Sequence, residues 1–287
     1  RAICAAAAQA DRYPDPLCRR LTAALAEQLG LPEAWLLCGA GAADLIYRLA
    51  LAVKPATALV TAPCFAEYEP ALVLAGAEVR RYPLPAEDGF ALTGRILEQL
   101  RPGLDLLFLA NPNNPTGLTI EPPLLMQITA RCQSLGIVLA LDECFNGFLD
   151  QPGSHTLRGQ LADYPNLIIF DAFTKLYGMA GLRLGYCLAA DADLLQSMRQ
   201  AGPPWSVSSV AQAAGVAALA ERQYLRESRR LIRAERAFLQ HELRRIGVTA
   251  VSGEANFLFL RSPRTDLAAR LRDQGLLIRD CRNYPGL

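Results

Sequence analysis

Phe170-Asp171-Ala172-Phe173-Thr174-Lys175, followed by Gly181-Leu182-Arg183-Leu184-Gly185-Tyr186, is the stretch on which the reading of this chain turns. An apolar run, 167–170, reads as a buried strand. A short turn follows, then a lysine, with a second cation, Arg183, eight residues further on. Lysine is scarce here: of 29 basic residues 27 are Arg, and the lysines are Lys54 and Lys175. A guanidinium is never usefully deprotonated and cannot form a Schiff base, whereas an amine can. An amine beside a cation in a low-dielectric site is a nucleophile, and Lys175 is expected to be one.

Working outward, short β-rich runs alternate with helical patterns. Strands are expected at 57–62, 78–82, 105–110, 137–141, 166–170 and 184–189. Helices are expected between them near 66–75, 93–99 and 121–134. Strands separated by helices of this length make a mostly parallel sheet covered on both faces, an α/β fold. Such sheets bind ligands at the carboxyl ends of their strands. After about residue 205 the texture changes to helices at 206–219 and 221–245, then strand candidates at 256–261 and 276–279 around a helix at 265–274. The charges of 221–245 read as a solvated face with i,i+4 pairing. This is a smaller α/β unit, and a helix at 16–29, with Asp15 as cap and Pro16 in its first turn, is placed with it. The expected division is a large domain at 36–215 and a small one formed by 1–35 and 216–287.

Three further groups fall at predicted strand ends. Asp142 closes the apolar run Ile137-Val138-Leu139-Ala140-Leu141, where a carboxylate is costly unless paired. Asn113-Asn114-Pro115-Thr116-Gly117 is a turn that carries an amide side chain, Asn114, to the same edge. Gly39-Ala40-Gly41-Ala42-Ala43-Asp44 opens a helix. Free backbone N–H groups at such a start hold an anion, and small residues let a phosphate approach. No Gly-Lys-Ser/Thr follows, so this is not a Walker loop. An amine, an Asp and an Asn at strand ends are what a pyridine aldehyde cofactor requires.

Bulk composition narrows the classes. A net charge of +1 gives no case for nucleic acid or an anionic membrane surface. Eight cysteines without a CxxC pair, and two histidines, argue against a zinc site and for buried free thiols in a reducing cytoplasm. No apolar run reaches the length of a membrane span. The chain begins inside an Ala-rich helix and stops at Asn283-Tyr284-Pro285-Gly286-Leu287, so residues are expected beyond both ends.

Taken together, Gly39–Ala43, Pro63-Cys64-Phe65-Ala66-Glu67-Tyr68, Asn113–Gly117, Asp142-Glu143 and Thr174-Lys175 with Arg183 resemble the fold-type I pyridoxal-phosphate enzymes, in their histidinol-phosphate aminotransferase branch. The resemblance runs over nearly the whole chain with every motif in order. Finer features look like the threonine-phosphate decarboxylases of cobalamin biosynthesis: Arg12-Tyr13-Pro14-Asp15, Phe65–Tyr68, Pro204-Trp205-Ser206-Val207, and Leu277-Ile278-Arg279 with Asn283–Leu287. The resemblance implies a fold-type I transferase fold, pyridoxal 5'-phosphate as cofactor and no metal. By similarity Lys175 would hold the cofactor covalently, Asp142 would pair with its ring nitrogen, Asn114 would bond its 3-oxygen and Phe65 would stack on the ring. Gly41, Ala42, Ala43, Thr174 and Arg183 would hold its phosphate. Tyr13 would reach the phosphate in the other subunit of a homodimer, and Arg279 would hold the substrate's own phosphate.

Three departures from the family pattern bear on the reaction. Phe145 stands where the aminotransferases carry a Tyr that bonds the 3-oxygen, Ala172 stands where relatives often have Ser or Thr, and the family's carboxylate-binding Arg would fall past Leu287. The implied reaction is decarboxylation of L-threonine O-3-phosphate. The alternatives are transamination, as in histidinol-phosphate aminotransferase, and a non-catalytic cofactor-sensing module of a transcription regulator.

Overall fold

Seven runs pair into one sheet in the computed structural model, which describes residues 1–287. They are β1 (Leu36–Gly39), β2 (Thr57–Ala62), β3 (Glu78–Pro83), β4 (Leu106–Ala110), β5 (Val138–Asp142), β6 (Leu167–Ala172) and β7 (Gly185–Ala189), ordered β1-β7-β6-β5-β4-β2-β3. The four junctions from β6 to β3 are parallel; β7 runs antiparallel to both β6 and β1. β8 (Thr249–Ala250) and β9 (Leu260–Arg261) form a separate antiparallel pair. The helices are α1 (Ala2–Ala7), α2 (Arg19–Leu29), α3 (Ala42–Val53), α4 (Tyr68–Leu74), α5 (Pro122–Leu135), α6 (Phe173–Leu176), α7 (Ala192–Gln200), α8 (Ser209–Leu219), α9 (Arg222–Arg245) and α10 (Leu267–Asp273).

The sheet is buried on both faces, which is why its central strands read as unbroken apolar runs. Side chains alternate across it. Leu107, Leu109, Leu139, Leu141 and Ile169 join a core with α2, α5 and α8, while Leu106, Phe108, Ala140, Ile168 and Phe170 join one with α3, α4 and α7.

The elements depart from the sequence expectation in several places, α7 and β8 being further elements not expected. β1 was not foreseen, because its four residues run straight into the glycine turn that opens α3. Residues 94–98 make a 3-10 turn instead of a helix. In the smaller unit β9 keeps two residues of its predicted run, and 276–279 forms no strand. No neighbouring ladder is offered there, and Leu276, Leu277 and Ile278 are left exposed. Helix α2 begins at Arg19 because Cys18 takes a left-handed φ of 51°; the Asp15 carboxylate still accepts from the Leu17 and Arg19 amides. Leu21 and Leu25 then pack α2 into the large sheet's core beside α8 and β1, not against the smaller unit.

A further departure is α9. Its arginines are not simply a solvated face. Arg229 Nε donates to Gly147 O (2.7 Å), Arg233 Nε pairs with Asp150 (2.9 Å), and Arg236 reaches Asp150 (3.1 Å) and the Glu254 carbonyl (2.5 Å). The spacing i, i+4, i+7 puts all three on one helix face, which clamps the loop after β5. Burial pushes Asp150 up, but Arg233 and Arg236 outweigh it and hold the carboxyl below the usual carboxylate range. The pair therefore adds stability above a pH of about 4, the ordinary Asp value, that is lost as pH falls through the lowered folded value. Arg236→Ala is expected to lower the unfolding free energy by about 1–3 kcal/mol at neutral pH, read by denaturant titration. The deficit should shrink in acid.

Candidate active site

β2, β4, β5 and β6 all end at one edge of the sheet, and antiparallel β7 begins there with Gly185. The loops leaving that edge carry the residues singled out from sequence. Asp142 is the last residue of β5 and is 8% exposed. Its Oδ2 accepts from Tyr68 Oη at 2.7 Å and its Oδ1 from the Cys144 amide at 2.9 Å. Burial pushes Asp142 above the ordinary carboxylate range, while the bonds from Cys144 and Tyr68 pull it back. A carboxylate so supported keeps lone pairs for one more donor.

Lys175 lies on α6, directly after β6. It is exposed, so the dry setting expected for it is not built by this chain's side chains alone. Its Nζ sits 5.6 Å from the centroid of the Phe145 ring, a cation–π distance. Phe145 in turn meets Phe257 edge-on at 5.1 Å. Gly147 lies so near Leu176 that a Cβ there would come within 2.5 Å of Leu176 Cδ2. Burial drives the Cys144 thiol well above its ordinary value, with the Lys175 charge acting the other way. Cys144 is thus an inert, buried neighbour of the site.

On the other side of β6, α3 opens with no side-chain cap, leaving its first amides free. Gly41 has a φ of 90°, and a Cβ on it would stand 2.8 Å from Arg183 Nη2. Gly185 faces the same turn; a Cβ there would meet the Ala42 nitrogen at 2.6 Å. Arg183 takes a left-handed φ of 55°, a conformation that costs a non-glycine residue about 1 kcal/mol. The N-terminus of α3 and the Arg183 guanidinium therefore meet at one turn, packed closely because Gly41 and Gly185 carry no Cβ. That is the donor set a phosphate needs. Together with a carboxylate at a strand end and a free amine on α6, the residues present fit a phosphorylated pyridine aldehyde. Thr174, half-buried, adjoins Lys175.

Phe65 follows β2 and meets Tyr68 edge-on at 5.5 Å. Asn114 is half-buried in the turn after β4, whose shape is set by Asn113 donating to Pro63 O (3.2 Å) and Thr116 Oγ1 (3.1 Å). That turn has no Cβ at Gly117, which lies 3.7 Å, measured from where that atom would be, from Gly253 Cα in the smaller unit.

Two candidates stand apart from this cluster. Tyr13 is 84% exposed and packs on Trp205, ring centroids 5.2 Å apart. Arg279 is exposed, with its guanidinium 5.6 Å over the Tyr284 ring and Nη2 3.5 Å from Asn283 Oδ1. Its segment does return to the sheet edge: a Cβ on Gly286 would lie 2.9 Å from the carbonyl of Ala62, the last residue of β2.

Behind the site lies an ion network that sequence reading missed. Glu143, fully buried, pairs with Arg158 (3.1 Å) and accepts from Thr156 (2.7 Å). Arg158 also pairs with Asp171 (2.6 Å), which accepts from Tyr186 Oη (2.9 Å). Burial raises Glu143, with the Arg158 charge opposing. The network ties the ends of β5, β6 and β7 together. Its members lie far apart in sequence without a shared motif, so nothing in the string of residues announces it.

The aminotransferase class I and II model matches residues 4–287. The chain belongs to the aminotransferase class I and II family. It is a pyridoxal-phosphate enzyme of fold type I, and the site's donor set fits that cofactor. Among curated relatives, a threonine-phosphate decarboxylase of Salmonella typhimurium strain LT2 is 42% identical over 280 residues, covering 96% of this chain and 76% of that protein. A histidinol-phosphate aminotransferase of Cupriavidus pinatubonensis is 37% identical, covering 99% of this chain and 76% of that protein. Among solved structures, the histidinol-phosphate aminotransferase of Clostridium acetobutylicum superposes with a TM-score of 0.91 at 26% identity, covering 98% of this chain and 84% of that one. The L-threonine-O-3-phosphate decarboxylase of Porphyromonas gingivalis superposes at 0.83 with 25% identity, covering 96% and 83%. No helix of this chain is long and apolar enough to cross a membrane.

Proposed function

We propose that this chain decarboxylates L-threonine O-3-phosphate, giving (R)-1-aminopropan-2-ol O-2-phosphate and CO2, as a step of cobalamin biosynthesis. The Cα–carboxylate bond breaks and a proton takes the carboxylate's place. The observation that carries the reading is Phe145: the ring facing Lys175 Nζ at 5.6 Å has no hydroxyl. A phenol there would donate to the cofactor's 3-oxygen, as the resemblance implies for aminotransferases. The 42% identity to a threonine-phosphate decarboxylase points the same way.

Pyridoxal phosphate, when bound, supplies an electron-poor ring that accommodates negative charge at the carbon next to the substrate amine. In this reading Asp142 holds its charge opposite the ring nitrogen and keeps it protonated. Gly41, Ala42 and Ala43 offer the first amides of α3 to the cofactor phosphate, with Arg183 and Thr174 beside them. Asn114 bonds the 3-oxygen and Phe65 covers one face of the ring. Lys175 Nζ would hold the cofactor, and the same amine, standing at this sheet edge, would be available to deliver the proton. Arg279 would clamp the substrate phosphate and so orient the substrate for loss of its carboxylate.

We place the cofactor in the unit at 36–215 and the substrate's phosphate against 216–287. The Tyr13–Trp205 pair, exposed on one protomer, supports a homodimer in which Tyr13 reaches the neighbour's cofactor phosphate. Eight free cysteines support a reducing, cytoplasmic setting.

The test is product analysis with pyridoxal phosphate and L-threonine O-3-phosphate. CO2 and aminopropanol phosphate in equal amounts, with no keto acid added, are expected. The second reading, favoured by the 37% identical aminotransferase, predicts neither product; histidinol phosphate and 2-oxoglutarate would instead yield glutamate. Arg279→Ala is expected to raise KM for phosphorylated substrates on the order of 10- to 100-fold, the worth of a charge-assisted contact, and to leave unphosphorylated analogues within about twofold. Equal effects on both would remove Arg279 from the phosphate site.

A further inference from the structure

Tyr68 closes the run Pro63-Cys64-Phe65-Ala66-Glu67-Tyr68 that follows β2. It is 0% exposed on α4, stacked on Phe108 with ring centroids 4.8 Å apart at 9°. Phe65 meets its other side edge-on at 5.5 Å. Held by these two rings, its hydroxyl has one partner, Asp142 Oδ2 at 2.7 Å. A buried phenol and a buried carboxylate are each costly without a partner, and a hydrogen bond between them favours the charged carboxylate and fixes its orientation.

We infer that Tyr68 is a positioning residue of the reaction: its hydroxyl fixes the Asp142 carboxylate through Oδ2 and favours its ionised form, the form that would pair with the cofactor's ring nitrogen. This rests on the assignment of Asp142 proposed above and not on which bond of the substrate breaks. The groups around the pair are Cys144 after β5, whose amide holds Oδ1, Asp171 on β6, and Cys64 after β2 beside the phenol. Asp171, an acid, opposes ionisation of Asp142, and burial opposes it more. The Cys144 and Tyr68 bonds are what favour the charge. Burial and the Asp142 charge push the phenol well above its ordinary value, so Tyr68 remains a donor at working pH.

Tyr68→Phe keeps the stacked ring and deletes the donor. Cofactor dissociation, measured by equilibrium dialysis, is expected to rise on the order of 10- to 100-fold, the worth of a hydrogen bond to a charged group. kcat should fall while KM stays within about twofold, because the lost bond acts on charge at the ring and not on substrate contacts. In an Asp142→Asn background the same change should move cofactor affinity by less than about twofold, because residues acting as one unit are not additive. A Tyr68→Phe protein with wild-type cofactor affinity, or one with the full effect retained in the Asp142→Asn background, overturns the role. If Asp142→Asn itself binds the cofactor normally, the Asp142 assignment falls and Tyr68's with it. A normal Tyr68→Phe beside a weakened Asp142→Asn sinks Tyr68 alone. The wild-type protein supplies a check that needs no stable phenylalanine variant. The infrared carboxylate band that Asp142→Asn removes should be that of an ionised group at neutral pH; a protonated band there overturns the inference.

Discussion

Lys175→Ala is expected to lose the visible absorbance of the bound cofactor and at least about three orders of magnitude of turnover, with the fold intact. The size follows from removing the one amine at the sheet edge, since losing a covalent group removes the whole pathway it opens. The fold survives because Lys175 is exposed on α6 and packs on no core group beyond its approach to the Phe145 ring. Its loss should therefore shift the unfolding free energy by no more than about 0.5 kcal/mol.

Borohydride reduction of the wild-type protein with pyridoxal phosphate gives a second readout. With two lysines in the chain the expected result is a mass increase on one peptide, that bearing Lys175. Lys54 stands at the C-terminal end of the 12-residue helix α3, about 18 Å from the phosphate cradle at its start. Retained turnover in Lys175→Ala, or label on Lys54, would sink the assignment.

Asp142→Asn is expected to move activity and stability in opposite directions. An amide cannot hold a charge against the ring nitrogen, so turnover should fall by about 100-fold or more. The cofactor-free protein should nevertheless unfold at a higher temperature than wild type at pH 7–8. The sign follows from burial, which raises Asp142 above its ordinary carboxylate value. A raised acid carries no penalty below the unfolded value of about 4 and a growing one as pH rises through the folded value. Asparagine carries none at any pH. The stability gap should thus be widest near neutrality and close in acid, and saturating cofactor should reverse it, because the bound ring rewards only the carboxylate. A cofactor-free Asp142→Asn protein less stable than wild type at neutral pH would show that the buried charge is already compensated by the chain itself.

Much of this was legible in the residues. The sheet could be read because strands buried on both faces are apolar along their length, as 106–110 and 138–141 are. The cradle could be read because an uncapped, glycine-opened helix has few uses. The chemistry could be read because Asp142 stands at the end of an apolar strand, where a charge is expensive, and because Lys175 is one of two lysines in a chain otherwise served by Arg. What failed was the smaller unit: apolar 276–279 looked like a strand, but a strand exists only where another offers it a ladder.

The sequence by itself determined the α/β class, the strand ends that carry Lys175, Asp142, Asn114 and Arg183, and the chemical class of cofactor they suit. Local pattern and side-chain chemistry suffice for these, since each is a property of a short segment. The tertiary structure alone decided which groups act on one another across the chain. Tyr68 meets Asp142 74 residues away, Glu143 and Asp171 share Arg158, and the α9 arginines grip the loop at 147–150. Such pairings depend on where the sheet order and helix packing bring distant residues, and no spacing in the sequence encodes that distance.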